Sequence, residues 1–342
     1  MSLGEFELIA RHFARHSGAA ARAFAPGVAL GPGDDCALLA PRAGMQLAVS
    51  SDMLVEGRHF LSTVAPARLG HKALAVNLSD LAAVGAQPLA FTLALAMPRA
   101  DDRWLAGFAE GLYTLADAHR CALVGGDTTA GPLNLCITVF GEVPAGGALL
   151  RSGARPGHAL WVSHPSGGGI GDARLALECF RGTVALEGAA FERVRRAMEM
   201  PQPRVALGIA LRGVASAAID VSDGLLGDLG HILRNSGAAG APLGATIEVD
   251  SLPASADLAG QPDHWRRTCT LSGGDDYELL FTAPEAAAER VRAAAHEAGV
   301  GARCIGRIEP APGIRLLDAG GGLLDWATFR SFDHFRDDGD ER

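Results

Sequence analysis

Apolar residues recur along this chain with two periods, and the alternation between them lays out its elements. In GEFELIARHF, Phe6 and Ile9, with Phe13 beyond, are spaced by three and four, which predicts a helix with one face turned inward. QLAVSSDML follows as a strand, and after Pro66 the segment ARLGHKALAVNLSDLAAVGA carries a helical stripe that ends before Gln87 and Pro88. PLAFTLALAMP reads as a buried strand, RWLAGFAEGLYTLADAH as a helix, and CALVGG and LNLCITVFGEV as further strands. The stretch PAGGALLRSGARPG, rich in Gly, Ala and Pro, is the predicted boundary. Beyond it come the strand HALWVSHP, a Gly-rich SGGGIGDARLALECF and a helical region through PQPRVALGIALRG. The strand SAAIDV, the helix GLLGDLGHILRN and strands in ATIEVD, ELLFTA and GARCIGRI complete a second alternating unit. The pattern therefore predicts two α/β units, 1–145 and 146–342, with an acidic tail HFRDDGDER expected to fray.

Composition narrows the class. At 342 residues the chain exceeds one compact core, and 48% apolar against 20% charged residues suit a folded soluble protein. A net charge of -9 argues against general nucleic-acid binding, which draws on an excess of Lys and Arg. Of the 30 Lys and Arg, only Lys72 is a lysine, and its surroundings RLGHKALAV are not a Walker-A loop. No protein-kinase signature set is present either, so any nucleotide chemistry handles phosphate by another route. The six cysteines form no C-x-x-C pair, and the expectation is buried thiols in a reducing compartment. The amphipathic start is not a signal peptide and no apolar run spans a bilayer, which predicts a cytoplasmic protein without a membrane partner.

The chemistry lies in acids set among glycines. GPGDDCALLAP, SSDMLVEG, NLSDLAAVG, LVGGDTTAG, AIDVSDGLLGDLG and TLSGGDDYELLFT each place carboxylates in or beside a predicted turn or helix. One such acid is ordinary turn chemistry; the recurrence demands more. Asp80 shares a helical stripe with Leu69, Ala73, Val76 and Val84, so it is expected on a buried face. There it needs a metal ion or hydrogen-bond donors from neighbouring backbone, and Lys72 is two turns off and displaced around the helix. Asp127 and Asp220 fall at the ends of predicted strands, and Asp223 follows at a helix start where it or Ser222 also suits an N-cap. With Asp34, Asp35 and Asp52 they make an oxygen donor set, which suits a hard cation such as Mg²⁺ bridged to substrate phosphates. Gly125 and Gly126 allow close backbone approach to a phosphate. Arg151 is either a phosphate clamp or an exposed linker residue, and His59 either a substrate contact or a surface histidine. Neither H-E-x-x-H nor G-x-S-x-G occurs, which leaves acyl transfer without support.

Taken in order, GEFELIARHF, GDDCALL, SSDMLVEGRHF, HKALAVNLSDLAAVGAQP, GGDTTAGPL, LLRSGARPGHALWV, AIDVSDGLLGDLGHI, SGGDDYELLFT, CIGRI and FDHF resemble the thiamine-monophosphate kinase family over nearly the whole chain. Single motifs are shared with aminoimidazole-ribonucleotide synthetase, selenophosphate synthetase and a hydrogenase maturation factor; the first Cys and first Lys, Cys36 and Lys72, do not fit the second of these. The resemblance implies an α/β (α+β) two-domain aminoimidazole-ribonucleotide synthetase-like fold, with N-terminal sheets pairing into a barrel across a homodimer. It implies phosphorylation of thiamine monophosphate by ATP with several Mg²⁺ ions, the last step of thiamine diphosphate formation. By the same resemblance Asp35, Ser50, Ser51, Asp52, Asp80, Asp127, Asp220 and Asp223 are metal-binding, and Gly126, Asp127, Arg151 and Ser222 contact ATP. His59, Asp275 and Phe332 contact the substrate, and Asp275 stands where family members commonly carry Glu. No dedicated general base is implied. The nearest rival reading is another ATP-using enzyme of that superfamily, such as aminoimidazole-ribonucleotide synthetase; a binder without turnover and a metal-dependent phosphohydrolase are the others.

Overall fold

The computed structural model describes residues 5–15, 24–238, 241–325 and 329. The chain divides into two compact units, Met1–Ala148 with Glu199–Arg212, and Leu149–Met198 with Gly213–Arg342. The division runs through the 144–157 stretch, but the segment Glu199–Arg212 returns to the first unit.

That unit begins with α1 (Glu5–His12) and a short pair, β1 (Val28–Leu30) and β2 (Leu38–Leu39). Its four-stranded sheet has the order β3 (Met45–Val55), β6 (Asn134–Pro144), β4 (Gln87–Met97), β5 (Ala122–Ala130). β6 runs antiparallel to both neighbours, and β4 and β5 are parallel. Two helices connect the strands. α2 (Pro66–Ala83) starts with Pro at its first turn, where the missing N–H is harmless. α3 (Asp102–His119) starts at Asp101, whose carboxylate accepts from the amides of Arg103 at 3.1 Å and Trp104 at 3.0 Å.

Helix α2 is buried almost all round, continuously from Leu69 to Ser79, which exceeds the single stripe expected from its sequence. α3 and the sheet cover two sides, and Glu199–Arg212 covers a third. Arg68 pairs with Glu199 at 2.7 Å, and the His71 ring lies 2.8 Å from the Pro201 carbonyl. Each fully buried leucine here, Leu74 and Leu78 among them, contributes about 1.5–3 kcal/mol of transfer free energy. α2 and α3 meet through glycines. A Cβ on Gly70 would sit 2.1 Å from the Phe108 carbonyl oxygen, and one on Gly111 would sit 1.8 Å from that of Ala67. Lys72, 2% exposed, donates from Nζ to the His59 carbonyl at 3.0 Å.

The second unit is built on a seven-stranded sheet: β13 (Leu323–Leu324), β12 (Gly313–Leu317), β9 (Gly244–Glu248), β11 (Gly301–Glu309), β7 (Ala159–His164), β10 (Leu279–Ala283), β8 (Ala217–Asp220). Only β9 and β12 pair in parallel. Its helices include α4 (Asp172–Phe180), α5 (Leu225–Ser236), α6 (Asp263–Ser272) and α7 (Ala288–Glu297). Leu225, Leu229, Ile232 and Leu233 of α5 pack with Leu160, Ile219, Leu280 and Ile305 of the strands in one core. Ala173 and Leu175 of α4 join Val194, Met198 and Leu258 in another.

Among the described residues no helix is long and apolar enough to cross a membrane. All six cysteines are free thiols; Cys121 and Cys269 are buried, Cys136 and Cys179 partly so, and Cys36 and Cys304 are exposed, which corrects the expectation of burial for these last two. Burial pushes the Cys269 thiol up to about 12, which keeps it protonated and inert.

Candidate active site

Along β3 successive side chains alternate between faces, and this separates residues that the sequence groups together. Ser50 Oγ donates to the Asp80 carboxylate on α2 in a short hydrogen bond. The amide of Asp52, two residues on, donates to Asn77 Oδ1 at 3.1 Å, and Asn77 in turn donates to the Ala73 carbonyl at 3.0 Å. Ser51 points the other way, its hydroxyl 2.9 Å from Thr138 Oγ1 on β6. Asp80 is half-buried rather than sealed. Its side chain has a hydroxyl donor, an outcome that neither sequence alternative named.

His59 follows β3 in a loop that Lys72 holds by its carbonyl. The Val55 amide donates to His59 Nδ1 at 3.0 Å, so the neutral imidazole carries its proton on Nε2 and is a donor there. Gly126 and Asp127 lie inside β5 rather than beyond its end, which corrects the strand-end placement of Asp127. The pairing of β4 with β5 steps between Phe91 and Thr92, and the strand runs on through the glycines to Ala130. Gly126 has φ 151°, and a Cβ there would meet the Leu93 carbonyl oxygen at 1.8 Å. The Asp127 side chain is exposed, with Oδ1 accepting from the Thr128 amide at 2.9 Å. Asp35 is exposed in its loop, and its amide donates to Asp34 Oδ1 at 2.9 Å.

In the second unit, two turns are stitched together. β8 ends at Asp220, which is 4% exposed. The Val221 amide donates to the Glu278 carbonyl and the Tyr277 amide to the Val221 carbonyl, both at 2.8 Å, and the Asp275 amide donates to the Ser222 carbonyl at 2.9 Å. The acidic turn of SGGDDYELL is thereby fixed beside Ser222 and Asp223. Asp275 and Tyr277 have φ 65° and 51°, a conformation non-glycine residues adopt rarely and at a cost of about 1–3 kcal/mol. The Tyr277 hydroxyl donates to Asp275 Oδ1 at 3.0 Å.

Neither Ser222 nor Asp223 caps α5; the N-cap is Gly224, which has no side chain. The acceptor comes instead from inside the helix. Asp228 Oδ2 receives the amides of Ser222 at 3.1 Å and Asp223 at 3.2 Å. Burial, reinforced by the Asp223 charge and opposed by those amides and by Arg151, pushes the Asp228 carboxyl up to about 7. His231, on the same helix, has its pKa lowered by burial and by Arg234 and Arg151. The Arg151 charge is thus felt at the stitched turns. Asp228 was not singled out from sequence, although an acid on the stripe of Leu225, Leu229 and Ile232 was the available signal. Phe332 lies outside the described residues.

Among the described residues no three His, Cys, Asp or Glu side chains gather into a metal-sized group. The structure joins Ser50 to Asp80 and sets Asp275 beside Ser222. It leaves Asp35 and Asp127 exposed in local turns and strands.

Two family patterns match: "AIR synthase related protein, N-terminal domain" over residues 33–143 and "AIR synthase related protein, C-terminal domain" over residues 155–318. The fold is therefore that of the two-domain AIR synthase-related proteins. Thiamine-monophosphate kinase from Salmonella typhimurium is 44% identical over 98% of this chain and 99% of that protein. The crystal structure of thiamine-monophosphate kinase from Stenotrophomonas maltophilia K279a superimposes with a TM-score of 0.81 at 42% identity, over 95% of this chain and 99% of that one. A solved complex described as AaThiL with AMPPCP and TMP matches with a TM-score of 0.73 at 26% identity, over 86% of this chain and 89% of that one. The chain belongs to the thiamine-monophosphate kinase family.

Proposed function

We propose that this chain transfers the γ-phosphoryl group of ATP to the phosphate of thiamine monophosphate, giving thiamine diphosphate and ADP. The observation that carries the reading is kinship over the full length, at 44% identity, with a protein named for that activity. An acceptor phosphate oxygen is already ionised at neutral pH, so no side chain need remove a proton. The work left to the protein is positioning and neutralisation of charge.

In donor chemistry the proposed ligands suit Mg²⁺: Asp35, Asp52, Asp80, Asp127, Asp220 and Asp223 offer carboxylate oxygens, Ser50 its hydroxyl and Ser51 a main-chain oxygen. When bound, such ions neutralise the phosphate oxygens of nucleotide and acceptor. Gly126, with its close backbone approach, Asp127, Arg151 and Ser222 are assigned to ATP. His59, through its Nε2 proton, and Asp275 are assigned to thiamine monophosphate, Asp275 facing the thiazolium and aminopyrimidine. Phe332 is assigned as an aromatic partner of the same rings.

The test is an assay with ATP, Mg²⁺ and thiamine monophosphate that follows ADP and thiamine diphosphate together, with free thiamine as a second acceptor. Equal amounts of both products from the monophosphate alone are expected. ADP without thiamine diphosphate would identify a phosphohydrolase and overturn the reading.

We further propose a homodimer joined through the open face of the first unit's sheet. Leu47, Val49 and Met53 project from the same side of β3 and are 43–56% exposed, an apolar row that a second copy would cover. Light scattering is expected to give twice 35.3 kDa for the native chain and a mass near the monomer for Val49→Arg/Met53→Arg. A dimeric double variant would place the contact elsewhere. A cytoplasmic setting, with ATP at hand and six free thiols, completes the proposal.

A further inference from the structure

Asp276 lies between two left-handed residues and is used by nothing in the scheme above. The residue as a whole is half-buried, yet its Oδ2 is closed off from solvent and has no hydrogen-bond partner among the described residues. Oδ1 accepts from the amide of Gly171 at 2.8 Å. Gly171 is the N-cap of α4 and has φ 89°, so this bond ties the acidic turn to the start of that helix. Burial, opposed by the Gly171 amide and reinforced by Glu278, Asp172 and Asp275 nearby, drives the Asp276 carboxyl well above the usual carboxylate range. A carboxyl with one buried oxygen left unsatisfied costs stability. A leucine would fill such a place more cheaply unless the single hydrogen bond matters.

What it secures is the turn itself. The amides on either side of Asp276, those of Asp275 and Tyr277, are fixed to Ser222 and Val221, and the tie to Gly171 adds a third anchor from a different segment. Together these over-determine a backbone that holds two non-glycine residues at positive φ. The direction of the Asp275 carboxylate follows from that backbone and from the Tyr277 hydroxyl.

We propose that Asp276 is a positioning residue for the acceptor substrate: by accepting the Gly171 amide it pins the left-handed pair Asp275 and Tyr277, and so sets where the Asp275 carboxylate is presented. The proposal rests on the reading in which Asp275 meets the thiamine cation. It requires neither a charge on Asp276 nor contact between Asp276 and any ligand. Asn keeps the acceptor oxygen without charge, whereas Leu keeps the volume and loses the acceptor.

Steady-state kinetics on the full chain, with thiamine monophosphate and ATP varied separately, test this. Asp276→Leu is expected to raise KM for thiamine monophosphate by about tenfold to a hundredfold, the scale of an ångström-sized misplacement, and to leave KM for ATP within about twofold. Asp276→Asn is expected to stay within about threefold of the native enzyme in both. Equal effects of Leu on both substrates, or an Asn variant as impaired as Leu, would overturn the proposal. Where Asp276→Leu does not fold, Asp276→Ala decides, since it too removes the acceptor of the Gly171 amide but brings in no larger apolar side chain. A selective rise in KM for thiamine monophosphate supports the proposal, and an unchanged KM overturns it. Native enzyme that makes no thiamine diphosphate would instead refute the activity itself, a separate outcome visible in the control.

Discussion

Asp127→Asn is expected to lower kcat by about 10²–10³-fold while leaving the melting temperature unchanged, because it removes a charge and little else. The side chain is exposed on β5, and its one described hydrogen bond, from the Thr128 amide to Oδ1, is one that an amide oxygen also accepts. The strand conformation of Gly126 and Thr128 therefore has no reason to change. What is lost is a carboxylate proposed to help neutralise the phosphates, in a reaction whose barrier is lowered mainly by electrostatics. Turnover measured across a Mg²⁺ titration, beside a thermal melt, separates the two effects. A folded variant with native turnover would remove Asp127 from the charge-neutralising set and leave the assignment to the acids on β3, α2 and the turn after β8.

Gly111→Val is expected to act in the opposite way, on stability and not on chemistry. The Cβ position is 1.8 Å from the Ala67 carbonyl oxygen and 2.6 Å from its carbon, both main-chain atoms that no side-chain rotation can move. α2 and α3 would have to separate, opening the contact around Gly70 and Phe108 as well. Overpacking of this kind costs roughly 3 kcal/mol or more, which for a unit of this size lowers the melting temperature by about 6–12 °C. At temperatures where the variant remains folded, KM for both substrates should be near native, since neither helix face at this crossing carries a proposed ligand contact. A melting temperature within a degree or two of the native value would mean that the helices are not packed as closely as the structure has them.

Much of this arrangement is readable in the amino-acid order, and the exceptions have physical reasons. α2 is announced by Pro66 and by a stripe of period 3.6, but a stripe cannot show how many partners a helix has. Here the returning segment Glu199–Arg212 buries the side that a two-layer reading leaves open. The sequence CALVGG reads as a strand ending at its glycines, whereas β5 runs on to Ala130. The irregular pairing beside Val124 and the close approach of Gly126 to Leu93 make glycine the residue that lets the strand continue. Ser50, Ser51 and Asp52 are adjacent letters, yet strand alternation places the Ser51 hydroxyl opposite the Ser50 hydroxyl and gives it to Thr138. The acids that face solvent were legible from their glycine-rich settings. The roles of Asp228, on a helical stripe, and of Asp276, in a quoted acidic turn, were not, because their partners are main-chain amides whose nearness depends on how turns fold back.

The burial of Lys72 carries a consequence for the chemistry of the protein surface. With the chain's one lysine inside α2, every other basic side chain except histidine is a guanidinium, so acylating reagents and lysine-modifying enzymes meet no side-chain amine on the folded molecule. Acylation at Lys72 becomes a clock for opening: each labelled molecule records an excursion in which α2 has come away from its neighbours, against a background with no competing lysine.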